Sequence, residues 1–316
     1  VGSEMCIRDR IKGIIINKFR GDIRLFEEGI RMIEDLCKVP VLGVVPYYRG
    51  IYIEEEDSVM LESKNREAAA GKINVAVILL RHLSNFTDFN VLERDERVHL
   101  YYTNNVDDIT KADIILLPGS KNTLDDLYEL RRNGVAQAIL KASQEGATVM
   151  GICGGYQMMG LEVRDPEGVE GNVRMLPGLG LLPVITTMQG DKVTRQVEFT
   201  FDGTEALCKG YEIHMGRTVP AEGSPPSPFN QLADGREDGY QDKQKKCLGT
   251  YIHGILDNQP FIDFLLAPYI GKLGQQTFDY TAFKEEQYDK LAEHVRKHIN
   301  TVSYTHLRAH ETCADL

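Results

Sequence analysis

The stretch "VMGICGGYQMMG", residues 149–160, sets one thiol, Cys153, between glycines where a β-favouring run gives way to helix-like sequence. A thiol at a strand-to-helix turn has the setting of a nucleophile elbow. Such a turn is tight, so the neighbours of the nucleophile must be small and tolerate unusual dihedrals. The helix N-terminus that follows favours a thiolate and offers amide donors to an oxyanion. The competing reading is a buried structural cysteine at a glycine-rich crossover, and the motif alone does not choose.

A nucleophilic cysteine needs a base. The candidates are His82, His99, His214, His253, His294 and His298. His294 and His298 sit four apart among charges on a helical segment and read as surface residues. His99 begins a strand and has no partner motif. His253 ends the strand-like "GTYI" before Gly254, and His214 lies in "GYEIHMGRT", again a strand running into glycine. Both belong at a sheet edge, and the spacing does not say which one approaches Cys153. A second glycine turn, "DIILLPGSKNT", puts Pro118, Gly119 and Ser120 at the end of another strand. Backbone amides there would complete an oxyanion hole with the amide of Gly154. Taken singly, the segment is a plain βα turn followed by an N-cap.

The elements that must position these residues follow from periodicity. "GIIIN" and "VPVLGVVP" read as strands around an amphipathic helix at 23–37, with Ile23, Phe26, Ile30, Ile33 and Leu36 at three- and four-residue steps. Residues 62–72 are polar and small, a linker. Strands follow at "INVAVILL", "HLYYT", "DIILL" and "TVMGIC", with one helix expected over 123–145 and Thr123 as its N-cap. Later strands, "TRQVEFTF", "GYEIHMG" and "CLGTYIHG", lack helices between them. Residues 220–246 read as a mobile surface loop, and helices close the chain at about 260–267 and 281–299. Alternating βα units imply a largely parallel sheet covered on both faces, here with an antiparallel extension.

The chain has 316 residues, 42% hydrophobic and 26% charged, with a net charge of −11. That balance lacks the basic footprint of a nucleic-acid binder. No apolar run reaches the roughly 18 residues of a membrane span. Six cysteines without a C-x-x-C pair suit a reduced, cytoplasmic chain, and no metal site is expected. "MCIRDR" and "VSYTHLRAHET" resemble translated adapter read-through, so residues 1–9 and 302–316 are set aside as non-native. Cys6, Cys313, His306 and His310 are then expected to carry no chemistry, and the natural protein to extend past both ends.

Together, "LLPGSKNT", "GICGGYQMMG", "GYEIHMGRT" and "GTYIHGILDN" resemble, in order and spacing, the glutaminase domain of the cobyric acid synthase family. "LSNFTDFNVL" is similar to the start of that domain. "INKFRGD", "VLGVVPY" and "IYIEEEDS" resemble the end of the family's synthetase domain. The resemblance implies an α/β fold. An incomplete P-loop-type, dethiobiotin-synthetase-like segment (10–61) would precede a class I, flavodoxin-like glutamine amidotransferase domain with a mixed sheet (73–300). It implies that Cys153 attacks the side-chain amide of glutamine and that His253 is the base and acid. The amides near Gly119, Ser120 and Gly154 would bind the oxyanion and glutamine. Ammonia would then amidate carboxylates of a corrinoid, adenosylcobyrinic acid a,c-diamide. The glutaminase part would need no cofactor, and the complete enzyme would need ATP and Mg²⁺.

Two departures from the pattern matter. Many class I glutaminases place a Glu two residues after the catalytic His, but position 255 is Ile. Glu212, Asp257 or a backbone carbonyl would have to orient His253, and His214 would be structural or substrate-adjacent. No G-x-x-x-x-G-K-[ST] occurs, so the phosphate loop is missing. Asn17 and Lys18 are candidates to lie near a nucleotide base, and the acidic run Glu54–Asp57 near Mg²⁺ or substrate; each also reads as an ordinary turn or solvated surface. The alternatives are another amidotransferase of this architecture (a cobyrinic acid a,c-diamide synthase or a cell-wall amidating relative) or a catalytically silent glutaminase-like binding module.

Overall fold

The computed structural model describes residues 11–48, 65–272 and 280–300. The acidic run Glu54–Asp57, residues 62–64 of the expected linker and both expected non-native ends lie outside the described residues. Backbone contacts divide the chain into two units. Residues up to 53 group with those from 282 onward, and residues 54–281 form the other unit.

In the first unit, β1 (Ile14–Phe19) and β2 (Val41–Pro46) pair in parallel across helix α1 (Glu27–Cys37). The expected helix start at 23 is a separate 3₁₀ turn, Ile23–Leu25, capped by Asp22. The closing helix, Tyr280–His298, was expected to belong to the glutaminase segment. From Ala282 it groups instead with this unit, and Asn300 N donates to Leu42 O at 2.7 Å. His294, read as a surface residue, is half-buried. Its ring stacks on Tyr48 at 4.6 Å and its Nε2 bonds Pro46 O at 2.9 Å.

The second unit begins with β3 (Ile73–Ile78), β4 (Leu83–Ser84), a 3₁₀ turn over Phe86–Phe89 and α2 (Asn90–Arg94). It continues through β5 (Val98–Thr103), α3 (Val106–Ile109), β6 (Ile114–Leu117) and β7 (Gly119–Ser120). Then come α4 (Thr123–Arg132), α5 (Val135–Gln144), β8 (Thr148–Ile152) and α6 (Gly154–Met159). The strands after that are β9 (Glu162–Arg164), β10 (Met175–Pro177), β11 (Val184–Phe201) and β12 (Cys208–Pro220). Short strands β13 (Asn230–Leu232), β14 (Glu237–Asp238) and β15 (Tyr240–Asp242) precede β16 (Cys247–Thr250), β17 (Ile252–His253) and helix α7 (Gln259–Leu266).

The main sheet has the order β15-β16-β8-β6-β3-β5. Five strands are parallel, and β15 runs antiparallel at one edge. Every residue of β6 is solvent-free, which is why "IILL" is a continuous apolar run rather than an alternating one. The chain steps from β3 to β5 on one side and returns to β6 on the other. The carboxyl ends of β3 and β6 therefore form a topological switch point, where open α/β sheets bind ligands. A second sheet, β10-β9-β11-β12-β17 with β13 and β14 beside β11, supplies the expected antiparallel extension. Its core is the long β11–β12 hairpin.

Two local expectations are corrected. The helix over 123–145 is two helices, because Asn133 and Gly134 break it and Gly134 takes φ +85°. Its N-cap is Asn122, whose side chain accepts from Asp125 N at 3.0 Å; Thr123 is the first helical residue. Residues 220–246 are not simply a loop. They hold β13, β14 and β15, and the buried Asp238 ties them inward through Asn230 and Thr250.

Candidate active site

Cys153 stands between β8 and α6 with φ +53° and ψ −110°, a conformation that non-glycine residues rarely adopt. Holding it there costs about 1–3 kcal/mol, so the surroundings must enforce it. Cys153 N donates to Thr250 O at 2.9 Å, which pins the turn to β16. Gly155 lets the elbow press against β6: a Cβ there would collide with the carbonyl of Leu117. Behind the elbow, Gln157 accepts from Thr123 Oγ1 at 2.9 Å and donates to Met215 O at 2.9 Å and Tyr251 Oη at 3.2 Å. One buried amide thus fastens α4, α6, β12 and the β16–β17 link together.

The three glycine turns singled out in the sequence converge. A Cβ on Gly154 would lie 2.8 Å from the backbone nitrogen of Ser120, and one on Gly119 would lie 3.5 Å from Cε1 of His253. The backbone nitrogen of Ser120 therefore lies against the elbow. Its hydroxyl does not serve as a free donor there. Ser120 Oγ donates to Asp126 at 2.6 Å and accepts from Asn122 N at 2.9 Å. Asp126 also accepts from His82 N, and β4 pairs with β7, so the turn is held from both sides.

His253 is fully buried, and Cys153 is 9% exposed. The ring is held by a carboxylate that the sequence reading did not name. Asp88 Oδ2 lies 2.7 Å from His253 Nδ1, and Asp88 Oδ1 accepts from Gly254 N at 3.1 Å. A carboxylate on Nδ1 fixes the Nδ1–H tautomer and leaves Nε2 for the thiol. Nε2 is buried without a hydrogen-bond partner of regular geometry, so Cys153 acts on the ring across a looser contact. Resting active sites are commonly loose in this way. The thiol hydrogen goes instead to Ile213 O, with Sγ to O at 3.5 Å. Burial works against a charged ring at His253, but Asp88 and Cys153 outweigh it, and the pKa is pushed up to about 10.

Neither Glu212 nor Asp257 is the carboxylate on Nδ1. Glu212, nearly solvent-free, pairs with Arg195 at 3.0 Å and Arg236 at 3.1 Å. It lines a cavity of about 580 Å³ together with Arg195, His214, Arg236 and Tyr251. His214 stacks on Tyr251 at 3.8 Å, and burial lowers its pKa. Asn17 and Lys18 lie exposed on β1, where Asn17 Oδ1 accepts from Lys18 N at 2.8 Å and Lys18 takes φ +53°. Asp88 sits in "LSNFTDFNVL", the stretch singled out as the start of the domain. Its signal was an acid among the apolar Phe86, Phe89, Val91 and Leu92, which the fold buries to 4% exposure.

Among the described residues, no helix is long and apolar enough to cross a membrane. The chain is similar to curated cobyric acid synthases. It is 71% identical to that of Bacteroides fragilis over 293 residues, covering 93% of this chain and 59% of the relative. It is 71% identical to that of Phocaeicola vulgatus over 294 residues, with the same shares covered. With that of Clostridium perfringens it is 41% identical over 297 residues, covering 93% of this chain and 60% of the relative. The chain therefore spans about three fifths of the length of the curated relatives it matches. A family profile described as the CobB/CobQ-like glutamine amidotransferase domain matches residues 74–261, the stretch that carries Asp88, Cys153 and His253. The chain belongs to the CobB/CobQ-like glutamine amidotransferase domain family.

Proposed function

We infer that this chain is the glutamine-hydrolysing part of a cobyric acid synthase, with Cys153 as nucleophile and His253 as its acid and base. With the thiol proton carried on His253 as an imidazolium, the thiolate of Cys153 attacks the side-chain carbonyl carbon of glutamine, and the carbonyl electrons move onto oxygen. The backbone amides at Ser120 and Gly154 receive that oxyanion. The carbon–nitrogen bond then breaks as His253 Nε2 gives its proton to the departing nitrogen. Ammonia leaves and a glutamyl thioester remains. Water, deprotonated by the same nitrogen, attacks the thioester carbon, and the carbon–sulfur bond breaks to release glutamate and restore the thiolate beside the protonated ring. The observation that carries this reading is the Asp88–His253 pair at 2.7 Å beside a thiol held in a strained elbow. A ring whose pKa stands near 10 is protonated at neutral pH, ready to act as the acid toward ammonia.

The cavity around Glu212 suits the zwitterionic head of glutamine. Two guanidiniums, Arg195 and Arg236, flank one carboxylate there, so it holds both a cationic and an anionic partner. In the complete enzyme, ATP with Mg²⁺ would activate corrinoid carboxylates, and the ammonia would convert them to amides. The name shared by the relatives favours this over the diamide synthase and the cell-wall amidating alternatives. The β1-α1-β2 unit would be the remnant of a P-loop-type synthetase domain. Asn17 Nδ2 and Lys18 Nζ are the donors its strand-end turn offers to a nucleotide.

The test is labelling with a glutamine-analogue electrophile, read beside release of glutamate from glutamine. Wild type should be modified at one site and should hydrolyse glutamine, and Cys153→Ala should do neither. Equal labelling of Cys153→Ala, or none in wild type, would leave only the binding-module reading.

A further inference from the structure

We propose that Tyr211 is a positioning residue for His253, holding the imidazole face-on while Asp88 holds it edge-on. The phenol ring of Tyr211 stacks on the ring of His253, with centroids 5.2 Å apart and planes 18° from parallel. The two residues are cross-strand partners where β12 meets β17, so the stack is built into the sheet register. The far end of Tyr211 is also fixed. Asn85 Nδ2 donates to the phenol oxygen at 2.9 Å, and Asn85 holds a left-handed backbone, φ +53°.

Asn85 and Asp88 belong to one short segment, the entry to the 3₁₀ turn over Phe86–Phe89. That segment therefore reaches His253 twice. Asp88 fixes the ring in its plane through Nδ1. Asn85, through Tyr211, fixes the tilt of the plane. An in-plane hydrogen bond leaves an imidazole free to rock about the axis it defines, and a stacked ring removes that freedom. An aromatic face also stabilises a cation above it, so the stack favours the protonated state of the ring. The groups acting on His253 from the elements packed round it are Asp88, Cys153, Tyr211 and His214.

The proposal rests on the reading of His253 as the acid and base of Cys153, and its test keeps the two apart. Ring-carbon NMR follows the titration of His253 directly, whether or not the chain turns over glutamine. Tyr211→Phe keeps the stack and loses the Asn85 bond, Tyr211→Leu loses both, and Asn85→Ala loses the bond without touching β12. In Tyr211→Leu the titration of His253 should move down by about one pH unit. Its kcat should fall about 10-fold with KM unchanged, while Tyr211→Phe and Asn85→Ala should lose about 2–3-fold. A titration in Tyr211→Leu that matches wild type would overturn the proposal, as would a loss seen in KM alone. Should Tyr211→Leu fail to fold, a Tyr211→Phe or Asn85→Ala protein with wild-type kcat and wild-type titration overturns it equally. Full activity in His253→Ala would instead remove the acid–base reading and leave the NMR result standing.

Discussion

At the scale of single residues, the chemistry turns on how one imidazole is kept charged inside protein. Burial alone would discharge His253, yet the carboxylate of Asp88 on Nδ1 and the thiol side chain reverse the balance and raise its pKa to about 10. Replacing Asp88 by Asn removes the charge but keeps the shape, so burial should weigh more heavily and the pKa of the ring should fall from about 10. In wild type the proton donor is present below about pH 10 and is lost as pH rises through that value. The alkaline limb of glutaminase activity should therefore move to lower pH in Asp88→Asn, with kcat reduced on the order of 10²-fold or more. A pH–rate profile of both proteins decides it, and identical alkaline limbs would show that Asp88 does not set the ring's charge. This residue was hidden by distance along the chain. Cys153, His253 and Gly119 announce themselves through glycine-flanked strand ends, whereas Asp88 stands 165 positions from its histidine in an apolar stretch, and only the fold brings them together.

At the scale of elements, the site is a meeting of strand ends, and each is tied to the next by a buried polar group. The tie least visible in sequence comes from residues 220–246, whose content of Pro, Gly, Asp and Lys suggests only a loop. Asp238 on β14 accepts from Thr250 Oγ1 at 2.5 Å, Asn230 Nδ2 at 2.8 Å and Tyr251 N at 3.1 Å. Burial raises its pKa, a sign that the carboxylate is held here for its bonds at some desolvation cost. Thr250 in turn accepts the amide of Cys153. Asp238→Ala should strand three buried donors and destabilise the protein by roughly 2–3 kcal/mol. Urea unfolding measures that loss, and kcat should fall with it because the elbow loses its anchor. A folded Asp238→Ala protein with unchanged kcat would mean that β14 only decorates the site. The central strands themselves are legible in the sequence, because strands with both faces covered write themselves as uniform apolar runs. Short strands such as β13 and β14, two or three residues long, leave no periodicity to read.

At the scale of the whole molecule, the chain divides its labour unevenly. Among the described residues, the partners of Cys153 named above, Thr250, Ile213 and His253, lie in the unit spanning residues 54–281. The β1-α1-β2 unit carries Asn17 and Lys18, proposed to face a nucleotide, and the 316 residues contain no G-x-x-x-x-G-K-[ST]. A reaction confined to these residues should therefore split glutamine without consuming ATP. Glutamate release measured beside phosphate release tests this, and ATP turnover that depends on glutamine would contradict it. The helix expected at 281–299 with the glutaminase segment groups by backbone contacts, from Ala282, with the β1-α1-β2 unit. The sequence of a helix at the end of a chain does not say which unit supplies its partner face.

The backbone at Cys153 carries one more implication. With φ at +53° and ψ at −110°, the position would be relaxed by glycine, and the neighbours that enforce the turn would remain. The residue proposed as the nucleophile is thus the one whose removal should make the fold more durable. A search for heat-resistant variants that ignored turnover would drift toward glycine at 153 and discard the thiol early.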